Sequence, residues 1–154
     1  MSDQWRTPPE VFEALNREFN FNVDAAATAE NALVGRYYVG RYYTVETDGA
    51  NLDHYGPGDV VFCNPPYDGL TVARFVECAA ISAEQGALWV LLLNATTTDT
   101  RWFHKWIWDA RLHRPRGGVE VRFRPGRIRF NRPDGTPGES PRYANMVVVI
   151  RPPR

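Results

Sequence analysis

Val60-Val61-Phe62-Cys63-Asn64-Pro65-Pro66-Tyr67 is a short apolar run that ends in an amide, two prolines and a phenol. The run is continuous and rich in β-branched and aromatic residues. The turn-forming Gly56-Pro57-Gly58-Asp59 precedes it, so it reads as a buried strand. Neither proline can donate a backbone N–H, and each drives the residue before it towards an extended conformation. Asn64 and Pro65 are therefore held extended just beyond the strand's carboxyl end. In an open α/β sheet, ligands bind at that place. A plain strand stop, with Tyr67 capping a core, is the simpler reading of the same residues.

Upstream of this turn, Thr7-Pro8-Pro9-Glu10 marks a helix start. Thr7 reads as the N-cap, the prolines suit the first turn, and Glu10 completes a capping box. Val11, Phe12, Leu15 and Phe19 then form one apolar stripe, with Asn20 as a stop. Phe21-Asn22-Val23-Asp24 is a short strand that ends in a carboxylate. The small residues Ala25, Ala26 and Ala27 follow and let a ligand approach the backbone closely. Arg36-Tyr37-Tyr38 and Arg41-Tyr42-Tyr43 recur too closely for a structural repeat. They read either as aromatic loop packing or as stacking surfaces for a base or adenine ring. Asp48-Gly49-Ala50-Asn51-Leu52-Asp53 is a turn-rich loop.

Downstream, the spacing predicts a helix over 71–85 stopped by Gly86, then an unbroken apolar strand over 87–93 covered on both faces. Asn94, Thr96 and Asp99 lie in a polar loop at that strand's end, where loop capping explains them more simply than catalysis. A helix over 101–112, strands over 119–123 and 127–130, a Pro/Gly-rich loop over 131–142 and a last buried strand over 144–150 complete the chain. Strand–helix alternation followed by a strand-rich end predicts one α/β domain spanning 1–154. Its sheet should be mostly parallel and closed by an antiparallel C-terminal strand, with no separate target-recognition domain.

The 154 residues suffice for one domain with a real core. No apolar run approaches the ~20 residues that span a bilayer, and Ser2, Asp3 and Gln4 make a signal peptide unexpected. Cys63 and Cys78 have no metal-ligand spacing and read as buried thiols of a reducing cytoplasm. His54, His104 and His113 have no spacing for a metal triad. The net charge of zero conceals an asymmetry. Residues 1–100 carry 5 Lys+Arg against 14 Asp+Glu, whereas residues 101–154 carry 13 against 4. The basic part is almost entirely arginine, with Trp and Phe between, which suits a nucleic-acid backbone. Mutual neutralisation of the two parts within one fold is the alternative.

The ordered set Thr-Pro-Pro-Glu-Val, strand-Asp-Ala-Ala-Ala, an Asp-Gly…Leu loop and Cys-Asn-Pro-Pro-Tyr resembles the phage-type DNA N-6-adenine methyltransferases, the Dam-like family. Asp99-Thr100-Arg101-Trp102-Phe103-His104 and Gly126-Arg127-Ile128-Arg129-Phe130 extend the resemblance over almost the whole chain. Ala50-Asn51 intervene before Leu52, and Tyr55 fills an aromatic place where the family often has Trp. The resemblance implies a Rossmann-like fold with S-adenosyl-L-methionine as methyl donor. It puts Thr7 and Pro8 at the donor's methionine end, Asp24 and Ala25 at its amine and Asp48 at its adenine; Asn64 borders the same pocket. Asn64, Pro65, Pro66 and Tyr67 become the catalytic turn. The partner is DNA, gripped by Arg122, Arg124, Arg127 and Arg129; no membrane or metal is implied, and the protein is a monomer or homodimer. A host-cell cytoplasm is the implied location for a phage-encoded chain, and shielding phage DNA from nucleases the implied role.

An adenine amino lone pair is conjugated into the ring and is a poor nucleophile. In this reading the Asn64 and Pro65 carbonyls accept the two amino hydrogens, and the lone pair turns towards the methyl group. The work is positioning and electrostatics, without a covalent enzyme intermediate. A base inside a duplex must be flipped out to reach such a turn. The same turn serves other planar amino groups: cytosine N4, RNA adenine or a protein glutamine. A non-catalytic DNA-binding module is the reading from a different class.

Overall fold

The computed structural model describes residues 6–139 and 141–154. The lead-in with Trp5 lies outside them. Helix α1 spans Pro9–Phe19 and helix α2 Gly69–Glu84. The strands are β1 (Val23–Asp24), β2 (Arg41–Tyr42), β3 (Val60–Cys63), β4 (Leu88–Asn94), β5 (Trp108–Asp109), β6 (Arg114–Pro115), β7 (Val119–Phe123) and β8 (Asn145–Ile150). Six of these form one sheet in the order β2-β1-β3-β4-β8-β7. The β1–β2, β1–β3 and β3–β4 pairings are parallel, while β8 runs antiparallel to both β4 and β7. β8 is thus the one reversed strand of the six, which fits the expected Rossmann-like sheet with an antiparallel C-terminal strand.

Side chains alternate across the sheet with a period of two. Val61, Cys63, Trp89, Leu91, Leu93, Met146 and Val148 face α2 together with Phe75, Val76 and Ala79. Phe62, Val90, Leu92, Val147 and Val149 face the opposite core with Phe12 and Phe21 of the α1 region. Trp89 is wholly buried, and its indole N–H donates to Ser82 Oγ at 2.7 Å, which satisfies the one polar atom such a ring brings inside. Each fully buried aliphatic or aromatic side chain contributes about 1.5–3 kcal/mol. β4 and β8 are buried almost throughout and form the spine.

Several local expectations need correction. Thr7 does not cap α1. Pro8 is the N-cap residue, and no side chain among the described residues caps the helix. The left-handed Asn20 (φ 56°) does end it. The continuous helix expected over 101–112 is instead one turn followed by a π-helical turn, Phe103–Ile107. The chain then becomes extended and pairs β5 with β6 as a small hairpin. Burial of Phe103 and Ile107 and the Trp108–Phe103 stack at 6.4 Å override the helical spacing. Residues 127–130 form no strand. They cross over β8, where the Ile128 N–H donates to Asn145 Oδ1 at 3.0 Å.

Candidate active site

Parallel strands β1, β3 and β4 all end at one edge of the sheet, and reversed β8 begins there. That edge therefore gathers Asp24, Asn64, Asn94 and Asn145, four polar residues at the ends of four buried strands. Asn94 and Asn145 are register partners. The strand order alone brings together side chains 121 positions apart in sequence.

Asn64 stands at the centre of this edge. Its amide nitrogen donates to Thr7 Oγ1 at 2.9 Å, and its carbonyl oxygen accepts from the Tyr67 hydroxyl at 3.0 Å. The Thr7 hydroxyl, instead of capping α1, is therefore engaged by the Asn64 side chain. Tyr67 also lies 3.4 Å from the Leu92 carbonyl. Tyr67 is 39 % exposed as a residue, and the desolvation of its phenol pushes the pKa well up. Tyr67 thus stays a neutral donor to Asn64. Its ring meets Phe130 edge-on with centroids 6.1 Å apart.

Two cavities lie on either side of Asn64, and Asn64 and Pro66 line both. The smaller, about 340 Å³, is bounded by Thr7, Asp24, Ala25, Asp48 and Gly49, with Arg74 and Phe75 from α2. The larger, about 600 Å³, is bounded by Pro65, Tyr67, Asn94, Phe130, Tyr143 and Asn145, among others. Both fall in the usual range for ligand sites, about 300–1,000 Å³.

The smaller cavity is acidic and narrow-walled. Asp24 is 7 % exposed, and its carboxylate accepts one hydrogen bond, from the Ala26 N–H at 3.1 Å. No arginine or lysine pairs with it among the described residues. Burial accordingly lifts its pKa to about 7. Asp48 adopts a left-handed conformation (φ 53°), bonds the Ala50 N–H and pairs with Arg74 at 3.0 Å. Gly49 lies so close to β1 that a Cβ there would sit 1.7 Å from the Ala25 carbonyl oxygen. Tyr55, buried against Trp89, donates its hydroxyl to the Gly49 carbonyl and fixes that approach. Thr7, Asp24, Ala25, Asp48 and Asn64 all line this one cavity. Pro8 is buried and does not line the cavity.

The four arginines expected on DNA divide. Arg122 is already paired, with Glu18 at 2.7 Å and Glu120 at 2.6 Å, and so ties β7 to α1. Arg127 donates to the Arg142 carbonyl at 2.8 Å and braces the loop at the mouth of the larger cavity. Arg124 and Arg129 are exposed and make no ion pair among the described residues. Arg74 and Asn145 were not singled out in the sequence. A signal existed for Asn145, since it is the one amide at the start of an otherwise apolar strand.

A one-edge convergence of strand ends around an Asn-Pro-Pro-Tyr turn, on a sheet with a single reversed strand, defines a Rossmann-like methyltransferase domain. The family model for DNA N-6-adenine-methyltransferase (Dam) matches residues 1–153, and the chain belongs to that enzyme family, whose members methylate adenine in DNA. No curated protein matches the chain. No helix among the described residues is long and apolar enough to cross a membrane.

Proposed function

We propose that the chain transfers a methyl group from S-adenosyl-L-methionine to N6 of an adenine flipped out of DNA. The observation that carries this reading is that Asn64 forms the wall between an acidic cavity and a larger aromatic one. The donor carries positive charge on its sulfonium and its ammonium group. The buried, unpaired Asp24 carboxylate and the close Gly49–Ala25 wall suit such a cation. Asp24 and Ala25 would hold the methionine end and Asp48 the adenosine end, with Thr7 beside the methyl group. When bound, the donor supplies an electrophilic methyl group whose sulfur leaves as a neutral thioether.

The chain's own groups do the rest. Thr7 and Tyr67 hold the Asn64 amide from both sides, so its carbonyl is turned towards Tyr67, which lines the larger cavity. That oxygen has a second lone pair free to accept an amino hydrogen. Pro65, with no N–H of its own beside the next proline, leaves its carbonyl available for the other. Together they favour a pyramidal amino nitrogen whose lone pair faces the smaller cavity; as the N–CH₃ bond forms and the S–CH₃ bond breaks, the nitrogen releases one of its two hydrogens to water as a proton. Tyr67 and Phe130 offer ring surfaces against which the extruded base packs. Arg124 and Arg129 supply phosphate contacts outside the cavity. Fixed dipoles aimed at the reacting nitrogen need no reorganisation during transfer.

The test is transfer of labelled methyl from the donor to duplex DNA, followed by digestion to nucleosides. Label in N6-methyldeoxyadenosine is expected. Label confined to N4-methyldeoxycytidine, to RNA or to protein would replace this reading with another amino-group acceptor.

A further inference from the structure

Asn145 is 1 % exposed, and its carbonyl oxygen is used by the Ile128 N–H at 3.0 Å. Its amide nitrogen is buried and has no hydrogen-bond partner among the described residues. A buried donor left unpaired is costly, so a polar group that supplies its missing acceptor is favoured. Asn145 also lines the larger cavity, across β4 from the Asn64 turn. The Ile128 bond fixes the amide so that the oxygen faces the backbone and the NH₂ group is left over.

We infer that the Asn145 side-chain nitrogen donates a hydrogen bond to a ring nitrogen of the target base, making Asn145 a specificity-determining residue. This rests on the reading that the larger cavity takes adenine. Asn64 and Pro65 offer only acceptors and so select a base with an amino group. Asn145 offers only a donor and selects a base with an unprotonated ring nitrogen elsewhere on its edge. Thymine, which has no amino group, cannot satisfy both ends of the cavity. Strand neighbours lie about 4.8 Å apart, so β3 and β8 lie about 10 Å apart, and a ring held over the end of β4 would lie between the two side chains.

The experiment uses a duplex with one methylatable adenine, replaced in turn by 1-deaza-, 3-deaza- and 7-deaza-deoxyadenosine. Each substitution removes one ring acceptor. Wild type should lose about ten-fold or more in kcat/KM for one of the three, because a site built to donate rejects a base that lacks the acceptor. In Asn145→Asp, which keeps an acceptor for Ile128, and in Asn145→Ala, that same penalty should fall to within about two-fold. The penalty is a ratio of two substrates on one preparation, so partial unfolding of a variant cancels. Intrinsic changes in amino-group reactivity cancel when the penalty of wild type is divided by that of the variant. Wild type tolerating all three analogues, or penalties equal in wild type and variants, overturns the assignment. Absence of any transfer by wild type to the unmodified duplex overturns the methyl-transfer reading itself, and the assignment with it.

Discussion

The Asn64 amide nitrogen donates to Thr7 Oγ1 at 2.9 Å, across 57 residues of sequence. The bond does for Asn64 what its position after β3 cannot do. An amide free to rotate presents nitrogen or oxygen to the base with nearly equal ease. Thr7 accepts from the nitrogen, so the oxygen must face Tyr67, which lines the larger cavity. α1 is left with no side-chain cap among the described residues, a loss of roughly 1 kcal/mol, and the hydroxyl just ahead of it holds the Asn64 amide instead.

Thr7→Val keeps the shape and removes the acceptor. It should lower kcat by about ten- to a hundred-fold through misorientation of Asn64, with donor affinity nearly unchanged. Because Thr7 does not cap α1, the thermal midpoint should move little. A large drop in midpoint with normal kcat would mean that Thr7 serves the helix after all.

Asp24 ties stability to pH. Burial lifts its pKa from an ordinary 3.8 to about 7, so between those values the folded chain holds a proton that the unfolded chain has released. The ligand-free protein should therefore lose stability as pH rises through that window, by at most about 4 kcal/mol at ~1.4 kcal/mol per unit, and level off above it. Donor affinity should run the other way, rising as the carboxylate forms to meet a cation. Asp24→Asn should flatten both dependences and stabilise the ligand-free protein near neutral pH. Melting curves and calorimetric titrations of both proteins at pH ~5 to ~8 check this; equal slopes would remove Asp24 from the donor site.

Much of this arrangement was legible in the sequence, for identifiable reasons. β3, β4 and β8 announce themselves as apolar runs, and the prolines after Cys63 fix where β3 stops. Asp24, Asp48 and Asn64 follow from their places at strand ends and in a Gly-containing loop. What local spacing misreads is settled by long-range contacts. Thr7 has a perfect cap context but a better partner in Asn64. Residues 101–112 have helical periodicity, but burial of Ile107 and the β5–β6 hairpin end the helix early. Arg122 looks like a phosphate contact until Glu18, on another element, is folded against it. The pairing of Asn94 with Asn145 depends on a reversed strand inserted beside β4, which no local pattern encodes.

Gly49 approaches the Ala25 backbone more closely than any side chain permits. Gly49→Ala should therefore push the Asp48 loop away from β1 and weaken donor binding by about ten-fold or more, with a loss of about 1–3 kcal/mol in stability. Denaturant titration and donor calorimetry on the same preparation measure both. Unchanged values would show that the loop moves aside freely and does not shape the cavity.

The arginines separate by what they already touch. Replacing Arg124 and Arg129 with alanine should weaken DNA binding for all sequences alike and reduce the slope of log affinity against log salt by about 1 per arginine. Arg122→Ala should leave that slope unchanged and lower stability by up to about 1 kcal/mol per lost pair. Fluorescence anisotropy over a salt series distinguishes the two. A reduced slope in Arg122→Ala would mean that DNA competes successfully for its guanidinium.

Asn64 as the shared wall of donor and base cavities is most directly tested by Asn64→Ala in single-turnover methyl transfer, with donor affinity measured in parallel. Transfer should fall by about a thousand-fold while the donor Kd changes by less than about three-fold, because the lost carbonyl acts on the reacting amino group alone. Transfer retained within about ten-fold of wild type, with donor bound normally, would contradict the role of Asn64 at the reacting nitrogen.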